Sequence, residues 1–588
     1  MHTSEQPITQ DKNETRATRS LMGWWHVRAQ DDGAVENSTA LLEASIIGAI
    51  SAVAAFVFLR GTVLLSALRV SLCDHIPAWI VLPAIGMLGG AICGSFVTFI
   101  APEITGSGIP QVKAFLKGFP IKLDIRVAFS KLLGGIIALG IGLPLGREGP
   151  TVQVGAATAA VLGRVGYQSP RHRRQLIAAG AGAGLAAAFN APLAGVIFIV
   201  EELLKDVSSH TLGTALLSCF FAGIVAHFMG NHTLDVSAGR EFPHSSFLPE
   251  NVPFLLLLGL LAGIVGSGFN EAILRSAKWQ TKIFGKRYIL RIALAGLICG
   301  LVIALLPSSF RDFAGIRQLI FEDRSWRFAT VALVSNFFLT ALAYGAGSPG
   351  GLFAPSLTIG AALGYLLGLA EMVVFPAATH SPTALALAGM GAVFAAVARV
   401  PITATVIVFE MTTDFNLLLP LMVSSIMAFL IGEKLAPGSI YDRLLELQGI
   451  FLNEKDENDP LSNIIVKNVM SLSVESAAAA MPLSELVQKF QTSSHRAFPV
   501  IEEGKLVGMI SQSDLTSKLT LLSHDAKVKE AMTPLVVYAH KDDSLRVVVN
   551  ILDEKGLSGL PVLESDGTIA GIVSRKDIIS ALAQRQDA

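Results

Sequence analysis

Five consecutive residues, Gly146-Arg147-Glu148-Gly149-Pro150, set two charges at the seam between two apolar stretches, Val127 to Leu145 and Thr151 to Leu162, each read as a helix. An ionisable side chain at the centre of a bilayer costs roughly 2.5–3.5 kcal/mol on insertion scales, so one kept there lines a polar cavity, pairs, or serves transport. Glu148 is therefore the first candidate functional residue. A buried pair with Arg147 is the alternative, disfavoured because adjacent residues on a helix do not face each other. Three further breaks accompany this one: Gly106-Ser107-Gly108-Ile109-Pro110, Gly351-Leu352-Phe353-Ala354-Pro355, and the segment around Ser439-Ile440-Tyr441. Pro110, Pro150 and Pro355 each stand at the start of an apolar run, where proline is pre-organised for a first helical turn. The glycines let the preceding backbone bend, so that free N–H groups point at one spot. A helix amino terminus carries about half a positive elementary charge and unpaired donors, and it attracts anions without filling the site with a full fixed charge. Weak binding of that type suits rapid passage.

The elements that must hold these breaks are membrane elements. Of 588 residues 52% are hydrophobic and only 15% charged, mean hydropathy is +0.57, and the 54 glycines match the higher glycine use of membrane helices. A net charge of −1 gives no electrostatic reason to expect nucleic acid as a partner. Cys73, Cys93, Cys219 and Cys299 lie in or beside apolar runs without disulfide or metal spacing and read as packing residues. Residues 1–40 form a polar segment with no signal-peptide cleavage pattern. Within it, Arg16, Arg19 and Arg28 precede the first apolar helix, which by the positive-inside rule puts the amino terminus in the cytoplasm. A multi-pass protein of a cell membrane, the bacterial inner membrane by its modest length, is expected. Apolar stretches follow from 41 to 435, and many fall short of the ~20 residues that span a bilayer. Half-helices that meet inside the membrane and line something wet are the expectation.

The chain repeats itself. Gly146 to Thr151 with Gly155 and Gly163 matches Gly351 to Ser356 with Gly360 and Gly368; Gly180, Gly182, Ala186, Pro192 and Glu201 match Gly389, Gly391, Ala395, Pro401 and Glu410. Ile92-Cys93-Gly94 recurs as Ile298-Cys299-Gly300 at nearly the same spacing. Duplicated membrane halves with broken helices place a binding site where the halves meet. After Leu452 charges appear every few residues and short strand-like runs alternate with helical ones, which marks a soluble tail. It repeats too: Phe498-Pro499-Val500 and Gly508-Met509-Ile510-Ser511 recur as Leu560-Pro561-Val562 and Gly571-Ile572-Val573-Ser574, each serine followed by an aspartate, Asp514 or Asp577, that opens a helix as a natural cap.

GSGIP, GREGP and GGLFAP, in this order and followed by a tyrosine near the end of the membrane part, resemble the CLC family of chloride channels and chloride–proton antiporters over about residues 40–450, and the tail resembles a tandem pair of CBS domains. The resemblance implies an all-α polytopic membrane protein built as an internally duplicated inverted repeat with broken helices, plus an α+β CBS pair. It divides the chain into an amino-terminal segment 1–40, a transmembrane domain 41–450, a linker 451–463, and CBS domains at 464–522 and 526–588. It further implies a homodimer with one pore per subunit, embedded in lipid, with the tail in the cytoplasm.

Carried over by motif, the hydroxyls of Ser107 and Tyr441 and the backbone N–H groups of Leu352 and Phe353 bind the central chloride, while Gly106, Gly108, Ile109, Pro110, Gly146, Arg147, Gly149, Pro150, Gly351, Ala354 and Pro355 shape the site. Glu148 matches the gating glutamate, whose carboxylate takes an anion's place when charged. Ser107 also reads as a helix cap, and Tyr441, in a loosely matching segment, also reads as an interfacial aromatic. Glu202 matches the internal proton acceptor of the exchangers, a position commonly apolar in channels. Glu201 has a repeat partner in Glu410 and reads as structural, whereas Glu202 faces Met411; a solvated helix end is the alternative for Glu202. Proton-coupled chloride exchange is thus the leading function, with chloride and protons as substrates, and a passive chloride channel the alternative. In the family proline in place of Ser107 goes with nitrate preference, which leaves chloride as the expected anion.

Ser511 with Asp514 and Ser574 with Asp577 are candidates for an adenine nucleotide, the sole cofactor considered; a purely structural CBS pair is the alternative. A divalent-cation transporter needs a cluster of oxygen ligands, and no intramembrane group of Asp and Glu provides one; no metal site is expected. Neither a nucleophile with a nearby base nor metal-ligand spacing emerges, so the chain is not read as an enzyme. His172, within Arg171-His172-Arg173-Arg174, reads as part of a solvated basic loop.

Overall fold

The computed structural model describes residues 33–163, 170–205, 209–230, 252–311, 325–374 and 382–452, and in the tail 461, 464–493, 495, 497–518, 526–534, 537–555, 557–564 and 567–586. Arg16, Arg19, Arg28 and most of the expected linker 451–463 lie outside the described residues. Two compact units divide between Leu452 and Asn453.

The first unit is helical: α1 Gly33–Leu72, α2 Ala78–Ser95, α3 Ile109–Leu116, α4 Ile125–Gly140, α5 Glu148–Leu162, α6 Pro170–Phe189, α7 Pro192–Phe198, α8 Ser209–Phe228, α9 Val252–Phe284, α10 Tyr288–Leu305, α11 Trp326–Gly345, α12 Phe353–Val374, α13 Pro382–Ala398, α14 Pro401–Thr412, α15 Leu418–Leu435 and α16 Ile440–Leu447. Among the described residues eight helical segments are long and apolar enough to cross a membrane. The helices that begin at the Gly/Pro breaks include shorter ones: α3 has 8 residues and α5 has 15. Large apolar side chains such as Phe99, Phe228 and Phe338 stay exposed on the surface, as a lipid-facing wall requires.

Two sequence expectations change. The apolar stretch to Leu145 is not one helix: α4 stops at Gly140, Gly142 takes a left-handed φ of 102°, and the chain then runs to Gly146 without helix. Apolarity there reports burial, and the glycine supplies the turn. His172 lies in α6, not in a loop, and its Nε2 sits 3.3 Å from a Glu43 carboxylate oxygen.

Small residues let equivalent helices touch. Gly155 of α5 abuts Gly180 of α6, and their repeat mates Gly360 of α12 and Gly389 of α13 abut in the same way. In both pairs an added Cβ would strike backbone carbonyl, so this is packing that only glycine allows. Between the halves the pairing is reciprocal. Gly86 and Gly90 of α2 meet Gly296 and Ile292 of α10, so that each helix presents the same positions to the other in antiparallel order. Two copies related by a two-fold axis make such a contact, and this is the geometry of an inverted repeat.

The tail contains two three-stranded sheets. In the first, β1 Ala477–Ala478 runs parallel to β2 Ala497–Glu502, which pairs antiparallel with β3 Lys505–Ser511; in the second, β4 Ala539–His540, β5 Gly559–Leu563 and β6 Ile569–Ser574 repeat the order and directions. Each sheet has its own apolar core. Short segments cross between them, Ser471 bridging Ile572 and Thr533 bridging Met509, again as a reciprocal pair.

Candidate functional site

The three Gly/Pro motifs converge through their backbones. The Gly350 N–H donates to the Gly106 carbonyl at 3.0 Å, the Gly146 N–H to the Gly351 carbonyl at 2.8 Å, and the Gly351 N–H to the Gly146 carbonyl at 2.6 Å. A Cβ on Gly149 would lie 2.8 Å from both the Cβ and the carbonyl oxygen of Ser107, and one on Gly351 would lie 2.9 Å from the Gly149 nitrogen. Glycine is therefore required where three chain breaks share one space. The breaks are far apart in sequence, and the repeat brings them together.

Around this junction the side chains are buried and few of their polar atoms are spent on each other. Ser107 is fully buried; its hydroxyl accepts the Ile109 N–H at 3.3 Å, and its own N–H donates to the Tyr344 hydroxyl at 3.2 Å. Gly108, with a left-handed φ of 94°, is the N-cap of α3, and the Ser107 hydroxyl just before it serves as acceptor for the first amide of that helix. Tyr441 is fully buried, which rules out the interfacial alternative, and its hydroxyl has no hydrogen-bond partner among the described residues. Its ring lies 6.5 Å from that of Phe353, which is buried with Leu352. A buried hydroxyl without a protein partner is costly unless something else takes the bond.

Glu148 opens α5 and is buried, with its carboxyl beside the start of α12: a Cβ on Gly146 would meet both Glu148 Oε2 and, at 3.1 Å, the Ala354 nitrogen. Its Oε2 has no hydrogen-bond partner among the described residues. The Glu148 carboxyl thus lies where two helix amino termini, those of α5 and α12, meet. Arg147 reaches α6: its Nη2 donates to the Ala188 carbonyl at 2.8 Å, near the carboxyl end of that helix. Sequence reasoning missed Lys131, fully buried on α4, whose ammonium donates to the Ile104 and Gly106 carbonyls at 2.8 and 2.7 Å and braces the loop that carries Ser107. A lone lysine in an apolar helix was the available signal.

Glu202 ends the first short helix pair differently from its expected alternative. It sits in a π-helical turn, Ile199–Leu204, that follows α7, and only 3% of it is exposed, so it is not a solvated helix end. Its Oε1 accepts from the Lys113 ammonium at 2.8 Å and from the Ser439 hydroxyl at 3.2 Å. Ser439 caps α16, the helix that carries Tyr441, by accepting the Asp442 N–H at 3.3 Å. Phe198, four residues before Glu202, meets the Phe353 ring edge-on at 5.8 Å. Phe353, in the third break, therefore lies between the rings of Phe198, about one turn before Glu202, and Tyr441. Glu201 points elsewhere: its carboxylate accepts the Ile402 and Thr403 N–H groups at the start of α14, while Glu410 accepts those of Leu193 and Ala194 at the start of α7. The two glutamates cap each other's half, at equivalent positions.

In the tail, Ser511 and Asp514 bind each other, with the Ser511 hydroxyl donating to Asp514 Oδ2 at 2.6 Å and the Ser511 N–H to the same oxygen at 3.0 Å. Ser574 and Asp577 do the same at 2.6 and 2.8 Å. Each pair closes the first turn of a helix, Gln512–Lys518 or Arg575–Gln586. Among the described residues no group of three His, Cys, Asp or Glu is placed to hold a metal ion.

The family model for voltage gated chloride channels matches residues 89–433, more than half of the chain. The chain belongs to this family, the CLC family. CBS domains match residues 466–520 and 528–584 of the same chain. Among curated CLC relatives, the H(+)/Cl(-) exchange transporter ClcA of Vibrio cholerae serotype O1 (strain ATCC 39541) is 36% identical over 384 residues, 63% of this chain and 80% of that protein. ClcA of Salmonella typhimurium strain LT2 is 33% identical over 444 residues, 71% of this chain and 92% of that protein. Among solved CLC structures, a slow cyanobacterial Cl-/H+ antiporter superposes with a TM-score of 0.63 at 30% identity, covering 70% of this chain and 97% of that one. A eukaryotic CLC transporter, at 24% identity and a TM-score of 0.62, shares the fold over 92% of this chain and 97% of its own.

Proposed function

We propose that this CLC protein exchanges chloride for protons across a cell membrane. The observation that carries the reading is the buried Glu202, a carboxylate held beside the Tyr441 helix, at a position where the second half of the repeat has an apolar residue. A passive pore has no use for an acid there, and a proton acceptor does. Its curated relatives named above are H+/Cl− exchange transporters, which supports the same reading.

In this proposal the hydroxyls of Ser107 and Tyr441 and the backbone N–H groups of Leu352 and Phe353 take a dehydrated chloride, and Glu148 is the gate. The carboxylate and the halide need the same helix-end donors, and two anions at contact distance repel strongly, so the site holds one or the other. Protonation frees the Glu148 carboxyl from those donors and opens the site to chloride. Gly106, Gly108, Ile109, Pro110, Gly146, Gly149, Pro150, Gly351, Ala354 and Pro355 give the breaks their shape, and Arg147 anchors the second of them to α6. The protein works as a homodimer with the CBS tail in the cytoplasm, and the tail takes an adenine nucleotide at Ser511–Asp514 and Ser574–Asp577. The domain limits proposed from sequence, 1–40, 41–450, 451–463, 464–522 and 526–588, accompany this assignment.

The test is transport in liposomes. A chloride gradient drives protons uphill through the reconstituted protein; chloride movement with no uphill proton movement assigns a passive channel instead.

A further inference from the structure

Glu202 does not hold Lys113 alone. The same ammonium lies 2.8 Å from Glu202 Oε1 and 2.6 Å from Asp442 Oδ1, and while the Lys113 and Glu202 side chains are 3% and 4% exposed, that of Asp442 is 22% exposed. Three elements distant in sequence meet here: α3 supplies the lysine, the turn after α7 the glutamate, and α16 the aspartate. The nearby arginines have other acids to pair with, since Arg443 bonds Glu271 at 3.1 Å and Arg399 bonds Glu433 at 3.1 Å. Two carboxylates therefore share one ammonium, and the cluster carries one surplus negative charge in a place where only its outer member, Asp442, reaches the surface of the membrane unit. A buried pair that loses one partner is strongly destabilised, so the surplus charge is best neutralised by a proton rather than by breaking the cluster.

We propose that Asp442 is a proton-delivering residue for this transporter and that Lys113 positions the transfer; the inference rests on Glu202 being the proton acceptor. A proton from the aqueous side that Asp442 faces forms an O–H bond on its carboxylate. The Lys113 ammonium, which already bridges the two carboxyls, stays between them. The O–H bond at Asp442 breaks as one forms on a Glu202 oxygen, and the restored Asp442 carboxylate becomes the anionic partner of the ammonium. Lysine keeps its own three hydrogens throughout and changes only its partner, so one proton enters and one charge is neutralised.

The bland role for Asp442, an acid in the first turn of α16, makes a different prediction. A structural loss lowers chloride and proton flux together, whereas a delivery role changes their ratio. The experiment measures both fluxes in the same liposomes for the native protein, Asp442→Asn, Asp442→Glu and Glu202→Gln, with Asp442→Ser in place of the asparagine variant if that one fails to reconstitute. Expected is a fall in protons moved per chloride of about tenfold for Asp442→Asn, the size of a lost charge-assisted hydrogen bond, with chloride flux persisting, and a native ratio in Asp442→Glu. A native ratio in Asp442→Asn, alongside loss of proton flux in Glu202→Gln, overturns the role of Asp442 and leaves that of Glu202 standing. Proton flux surviving in Glu202→Gln overturns both.

Discussion

Glu201 and Glu410 occupy equivalent points in the two halves of the membrane unit and do the same work, each capping a helix of the other half through two backbone N–H groups. One residue further on the equivalence fails: Glu202 is matched by Met411, and at the breaks Glu148 is matched by Phe353. Both candidate transport acids belong to the first half, and the second half answers each with an apolar side chain. The comparison teaches that duplication supplies the frame, two sets of helix ends aimed at one space, and that chemistry enters where the copies have diverged. Scaffold positions should therefore respond to mutation in matched pairs, and transport positions should not.

The largest effect is expected where the halves differ most. Glu202→Gln should reduce proton flux in liposomes to background while chloride flux persists, whereas Met411→Leu, its mate, should leave the ratio of the two unchanged; equal effects would dissolve the distinction. Next comes the shared space between the breaks. Gly351→Ala puts a methyl group 2.9 Å from the Gly149 nitrogen and should cost about 1–3 kcal/mol of stability, seen as a lowered unfolding temperature in detergent. The symmetric caps sharpen the comparison further: Glu201→Gln and Glu410→Gln should each cost about 1 kcal/mol in the same assay, and a large difference between them would contradict the reciprocal reading. Smallest is Tyr441→Phe, which removes one neutral donor and should weaken chloride binding by about 0.5 kcal/mol in calorimetry, with folding intact.

Legibility in the sequence followed the range of the interaction. Ser107, Glu148 and the Gly351 segment could be singled out because a helix start is written locally, in glycine, proline and the charge or hydroxyl between them. The duplication was legible because it preserves order. Lys113 and Asp442 escaped notice because they meet Glu202 only across the fold, and neither a lysine on a short helix nor an aspartate in a first turn announces a partner hundreds of residues away. Tyr344 was missed for the same reason, since it braces a loop from another part of the chain, whereas Lys131 did carry a signal, a charge in an apolar helix, and only its partners lay across the fold. The end of α4 at Gly140 was hidden by continued apolarity up to Leu145, where buried hydrophobic residues line a turn and a connection instead of a helix.

All of this depends on an anion being held by uncharged donors where the breaks converge. Crystals grown in bromide give the direct measurement, because bromide scatters anomalously and its position needs no interpretation of weak density. The account predicts an anomalous peak within hydrogen-bond reach of the Ser107 and Tyr441 hydroxyls and the Phe353 N–H, stronger in Glu148→Ala, where the competing carboxylate is gone. Bromide-soaked crystals with no peak at that junction in either protein, or with a cation bound there, would contradict it.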